Sequence, residues 1–176
     1  MFIYIFIIIV IIVSILLSIY IINYNKFQIS IIRISEAEEN INILLKKKLE
    51  LMLRIKNFIE DKKEDYKIAG LEKLEKQELN TFELNIELEK YNKKIMEITD
   101  YDKNIIFDDD EMLVIKELYD INTECLASER YYNDNVVTYN NLIKCFPSNI
   151  IAKICKYRFK DFYSNEKEEI FEILKQ

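Results

Sequence analysis

The sequence contains no histidine, one glycine, one proline and no charged side chain before Lys26. Histidine is the commonest general base and a frequent zinc ligand, so its absence removes most acid–base and zinc-dependent chemistry. A carboxylate-bridged di-metal site in a helical bundle also needs Glu-x-x-His motifs, which cannot be completed here. No Gly-rich phosphate loop and no nucleophile elbow is present. Gly70 and Pro147 are the only two strong breakers of secondary structure, which excludes an all-β chain and favours long helices. The three cysteines, Cys125, Cys145 and Cys155, form no C-x-x-C pair, which argues against a disulfide scaffold and a zinc site. They are expected to be buried structural thiols in a reducing compartment. The net charge of -6 argues against non-specific nucleic-acid binding, which needs a basic surface. The excess of Ile, Lys, Asn and Tyr follows AT-rich codons and is not read as β propensity.

What is present begins with an apolar run, Phe2 to Ile22, free of charge, proline and glycine. At about 1.5 Å per residue it spans about 30 Å, the thickness of a bilayer hydrocarbon core. It is hydrophobic all round rather than along one stripe, and Tyr4 and Tyr20 lie near its two ends. A cleaved signal peptide would place basic residues before the run and small residues after it. Here nothing basic precedes it and Asn23-Tyr24-Asn25-Lys26 follows, so an uncleaved anchor is expected. Lys26 and Arg33 after the span place the following domain in the cytoplasm and the N-terminus outside. Ser14 and Ser18 have a small-xxx-small spacing that can bring two spans together.

The remainder carries helical periodicity. Ile41, Leu44, Leu45, Lys48, Leu51, Met52, Ile55, Phe58 and Ile59 step by three and four, and only Lys48 interrupts the apolar face. Lys46, Lys47, Glu50, Arg54, Lys56, Glu60 and Asp61 fall on the exposed side. Nothing between the apolar run and Ile41 obliges a break, so the first helix can continue the span. Gly70 is a stop or sharp bend. A second, less regular helical pattern runs Leu71, Leu74, Leu79, Phe82, Ile86, Tyr91, Ile95 and Ile98. The acidic cluster Asp108 to Glu111 reads as a helix start, since carboxylates favour the positive end of the helix dipole. A calcium loop would need alternating ligands and a glycine turn, which are missing. A third seam, Val114, Leu118, Ile121, Cys125, Ser128, Tyr132, Val136, Tyr139 and Ile143, ends near Phe146-Pro147. Ser148-Asn149 is expected to cap a short segment from Ile150 to Cys155, followed by an amphipathic stretch holding Phe159, Phe162, Phe171 and Leu174.

One motif is more specific. Tyr132-Asn133-x-x-Val136-x-x-Tyr139-Asn140, followed by Phe146-Pro147-Ser148-Asn149 and Ala152, resembles the LemA family. Tyr24-Asn25-Lys26 after the apolar run, Glu36-Ala37, Ile41 and the basic cluster Leu45-Lys46-Lys47-Lys48 are similar to the start of that family's domain. Where the family has a D-L-x-P-N-L sequence, this chain reads Glu50-Leu51-Met52-Leu53-Arg54-Ile55, so a proline kink is not expected. Glu129-Arg130 stands where the family often has two arginines. The resemblance implies a membrane-associated bundle, generally described with four helices and with no established catalysis. It supplies no catalytic, metal or cofactor residues.

The residues of the motif have their own logic. Tyr132 and Tyr139, and Asn133 and Asn140, lie seven apart and so share a helix face. Buried asparagine pins helix register and buried tyrosine needs a partner for its hydroxyl. Bundle packing is the expected role, with a partner-binding surface as the alternative. A second group, Lys153, Lys156, Arg158 and Lys160 among Ile154, Tyr157, Phe159 and Phe162, is either a solvated basic end of the bundle or a contact with an anionic leaflet.

The sequence therefore predicts an all-α protein. Residues 1–23 form a single transmembrane anchor, and residues 24–176 form an antiparallel bundle of three to four long helices. The expected function is a non-catalytic interaction or scaffold module, with lipid binding or membrane shaping as the alternative and a carboxylate-metal enzyme behind both. No cofactor is expected. The expected partners are the lipid bilayer, a protein and a second copy of the chain, but not nucleic acid.

Overall fold

The structure, a computed structural model, describes residues 1–63, 66–77, 79–101 and 105–163. Among the described residues five helices follow one another: α1 (Phe2–Lys62), α2 (Leu71–Glu75), α3 (Thr81–Tyr101), α4 (Asp109–Lys144) and α5 (Ser148–Ile154). No strand occurs among the described residues. The all-α prediction holds, with three long helices and two short ones among the described residues. Phe171 and Leu174 lie outside the described residues.

The absence of glycine and proline before Gly70 lets α1 run unbroken for 61 residues, through Glu50–Ile55 where a proline kink was not expected. Every residue from Met1 to Ile22 is exposed, and Asn23 is the first buried one. From there the buried positions recur every seven residues. Phe27, Ile34, Ile41, Lys48 and Ile55 form one row, and Asn23, Ser30, Ala37, Leu44 and Leu51 the other. Such a seven-residue repeat keeps one seam of a helix against its neighbours.

The chain divides into two compact units, Ala37–Arg130 and Met1–Glu36 with Tyr131–Gln176. In the first, α4 runs antiparallel to α1: Asn40 Nδ2 donates to Ser128 Oγ at 2.9 Å, and Lys47 pairs with Glu117 at 2.8 Å. Lys62 pairs with Glu111 at 2.7 Å further along. The same helix runs antiparallel to α3, where Asn85 Nδ2 donates to Glu129 Oε1 at 2.8 Å and Asn122 Nδ2 to Asn92 Oδ1 at 3.1 Å. Hence α1 and α3 run parallel, and residues 66–77 carry the chain back between them. This return contains only α2, so the fourth leg of the bundle is mostly not helical. Gly70 turns it at φ 103°, and a Cβ there would lie 2.6 Å from the Tyr91 hydroxyl.

Four sequence expectations change here. The pattern from Leu71 to Ile98 is two helices, because Asn80 caps α3: Glu83 N–H donates to Asn80 Oδ1 at 2.9 Å and Asn80 N–H to Glu83 Oε2 at 3.2 Å. Lys56 is buried rather than exposed, since Glu60 at 3.0 Å and Glu72 at 2.5 Å neutralise its ammonium. Ser148 does not cap α5. Its hydroxyl donates instead to Cys145 O at 2.8 Å, with Pro147 at the N-cap. Cys145 is exposed; only Cys125 is a buried thiol. The acidic cluster does start α4: Glu111 N–H donates to Asp108 Oδ1 and Asp108 N–H to Glu111 Oε2, both at 2.8 Å.

Candidate functional site

The second unit gathers the Tyr-Asn motif. Asn133 and Asn140 are both 3% exposed, so their amides need partners inside the protein. They find them in the backbone after α5. Asn140 Oδ1 accepts from Lys160 N–H at 3.0 Å and its Nδ2 donates to Lys160 O at 2.9 Å. Asn133 Oδ1 accepts from Tyr163 N–H at 2.8 Å. Seven helical residues rise about 10 Å, and three extended residues cover the same distance. The spacing of the two asparagines thus matches that of Lys160 and Tyr163. The motif is a two-rung clamp that lays residues 157–163 antiparallel along α4.

The two tyrosines pack beside the clamp. Phe27 of α1 meets Tyr139 edge-on at 5.7 Å and Tyr157 at 4.6 Å. Tyr132 meets Tyr163 at 5.6 Å. Val136, Ile34, Ile151 and Ala152 complete this core. Gln28 Nε2 donates to Tyr157 Oη at 2.8 Å. Burial raises the pKa of Tyr139 and of Tyr157, and Cys155 adds to the rise at Tyr157. Both phenols are therefore structural and protonated near neutral pH.

The chain reaches this clamp through a tight turn. Tyr157 N–H donates to Ala152 O at 2.9 Å and Lys156 N–H to Lys153 O at 3.3 Å, the paired bonds of a Schellman end to α5. Lys156 takes the left-handed position, φ 56°, that glycine usually occupies. On the far side of α5, Phe146 is 80% exposed and Ile154 63%, with Ile150 exposed on the same helix face. Phe146-Pro147 is a cis peptide. Cys155 Sγ lies 4.0 Å from Tyr20 Oη, and Tyr20 stacks on Tyr24. Tyr20 is two residues, about 3 Å of helix rise, before Ile22. The end of the exposed apolar run is therefore level with α5.

The structure sorts the predicted residues. Tyr132, Asn133, Val136, Tyr139 and Asn140 come together, whereas Phe146 faces outward and Pro147 starts α5. Lys153, Lys156 and Arg158 are exposed; Lys160 is half-buried and held by its backbone. Tyr157 and Phe162, which the sequence groups with those basic residues, pack inward against the aromatic core. Phe27, Gln28, Tyr163 and Ile150 were not anticipated. For Phe27 a signal existed, its seven-residue spacing from Ile34 and Ile41.

In the other unit, Cys125 is buried, and desolvation pushes its thiol up to about 11. Lys48, also buried, pairs with Glu89 on α3. The described residues contain no group of three Cys, Asp or Glu placed to hold a metal ion.

In comparison with known proteins, the model of the LemA family matches residues 37–173. No curated protein and no solved structure matches the chain.

Proposed function

This chain belongs to the LemA family, and on that premise we propose that it is a single-pass membrane protein whose helical part is a non-catalytic interaction module. One observation carries this reading. The same helix passes, without a break, from a fully exposed apolar stretch (1–22) to the buried seam that starts at Asn23. An apolar surface of that size is far larger than water tolerates, and a bilayer covers it. The hydroxyls of Ser14 and Ser18 donate to Val10 O and Ser14 O, and Asn23 Nδ2 to Ile19 O, all within α1. These polar groups can therefore sit in or beside lipid without an outside partner.

The non-catalytic part rests on how the polar groups are used. The motif amides are engaged by the chain's own backbone. The one buried thiol is held protonated. The long charged helix faces remain as surfaces for a protein partner. The module lies on the cytoplasmic side, because Lys26 and Arg33 follow the span.

Crosslinking in intact membranes, followed by pull-down of the full chain, tests the module. A repeated protein adduct other than the chain itself is expected; adducts to itself and lipid alone overturn the reading. Sidedness is read at Lys116→Cys, an exposed position of α4, in a chain whose Cys145 and Cys155 are replaced by Ser and whose Cys125 is buried. A membrane-impermeant maleimide should label that position only after permeabilisation, and labelling in intact cells would reverse the orientation.

A further inference from the structure

The outward face of α5 has no part in the clamp, and its composition is unusual for this chain. From Asn135 to Lys160 there is no Asp or Glu, while Lys144, Lys153, Lys156, Arg158 and Lys160 all fall in that stretch. The chain as a whole is acidic, at net charge -6. The stretch also exposes large apolar side chains. Phe146 stands at the α4–α5 corner, and Ile150 and Ile154, four apart, share one face of α5 with Lys153 between them. Ile151 and Ala152 occupy the opposite face and are buried in the aromatic core, so the exposed isoleucines are not core residues turned out by chance.

Position decides what covers this face. The contact between Cys155 and Tyr20 fixes α5 level with the end of the apolar run. Tyr20 and Tyr24, stacked on each other, sit where aromatic rings favour the headgroup region. Apolar side chains ringed by lysine and arginine at that level match a helix lying in the interface, with cationic groups among headgroups and isoleucines at the acyl boundary. The turn at Lys156 points the same way. Its backbone favours glycine, yet the position holds a lysine that faces outward.

We propose that α5 and its two flanking turns lie on the bilayer that α1 crosses and bind anionic phospholipid headgroups through Lys153, Lys156 and Arg158, with Phe146, Ile150 and Ile154 seated in the interface. This rests on the reading of α1 as a membrane span. The protein would then hold its membrane at two places, the span and a flat amphipathic foot beside it. The foot fixes the tilt of α1 and makes the contact sensitive to lipid charge.

The test uses the full chain reconstituted in vesicles of neutral phosphatidylcholine, with or without about a third phosphatidylserine. Cys125→Ala and Cys155→Ser leave Cys145, next to Phe146, for an environment-sensitive fluorophore. A second preparation carries the fluorophore on Leu16→Cys, with Cys145→Ser added. In anionic vesicles the probe at Cys145 should be quenched by headgroup-level nitroxide lipid and shielded from aqueous iodide. Changing Lys153, Lys156 and Arg158 to Gln should weaken this protection by roughly fivefold per charge removed. Lys156→Gly removes one of those charges without unfavourable backbone geometry, and should weaken it by the same single step in a chain that folds at least as well. Iodide access at Cys145 with lipid quenching at Leu16→Cys overturns the foot and leaves the span. Iodide access at both positions overturns both. Equal protection in neutral and anionic vesicles overturns the role of headgroup charge. Protection that grows with protein density at fixed lipid shows that a second copy covers the face, and overturns the proposal.

Discussion

Asn140 presents both ends of its amide to a single residue, Lys160, and so substitutes for a strand partner on the side of a helix. Removing the amide leaves a half-buried N–H and C=O without their partner. Asn140→Ala should therefore cost about 1–3 kcal/mol, read by urea unfolding. It should also speed tryptic cleavage after Lys156 and Arg158 under native conditions, because the clamped segment comes loose. Asn140→Asp keeps the acceptor and loses the donor, and should fall between. Cys125 offers a second test at this scale. Burial makes the folded protein hold the thiol proton more tightly than the unfolded chain does. Its contribution to stability is complete below the unfolded thiol value of about 8.5 and is lost as pH rises to about 11. Chemical denaturation between pH 8 and 11 should show a steeper loss for the native sequence than for Cys125→Ala; parallel curves would contradict the burial argument.

At the scale of elements, the helical period carried most of the information. The seams of α1 and α4 were readable because glycine and proline are nearly absent and apolar residues recur by three and four. The break between α2 and α3 was also legible in principle, as the Asn80-x-x-Glu83 box, but the apolar residues around it continue the helical spacing. Residues 157–163 were not legible. Nothing local marks them as extended, and their hydrogen bonds come from Asn133 and Asn140, some twenty to thirty residues away. The motif was found by its spacing, while its task needed the fold. Lys48 belongs to the same class, since an interrupted apolar face becomes sensible only beside Glu89. The buried ammonium and the half-exposed carboxylate are unequal partners. Glu89→Gln leaves a buried charge and should cost about 1–3 kcal/mol, at or below the range for breaking a buried pair because solvent reaches Glu89. Lys48→Met removes the charge altogether and should be neutral or stabilising by thermal melt. If both changes cost alike, the pair stabilises the fold beyond its desolvation.

For the molecule as a whole, α1 joins two kinds of environment with one backbone, and the two should be separable by mutation. A charge in the middle of residues 2–22 meets hydrocarbon in the proposed membrane state and water in any soluble one. On insertion scales a lysine at the helix centre costs about 2.5–3.5 kcal/mol; Leu16 lies about 9 Å from the end of the run, where the cost is lower but still about tenfold or more in the partition of a single span. Leu16→Lys should move the protein from the carbonate-resistant membrane fraction toward the soluble one. Leu16 is exposed and precedes the buried seam, so the circular dichroism and melting of the packed helices should not change. Ile55→Ala should do the reverse. It empties a fully buried position of the seam and costs about 2–5 kcal/mol, while leaving membrane retention intact. The pair of results discriminates sharply. Should Leu16→Lys lower the melting temperature as much as Ile55→Ala does, the exposed run is packed against protein rather than lipid, and the single-span reading fails.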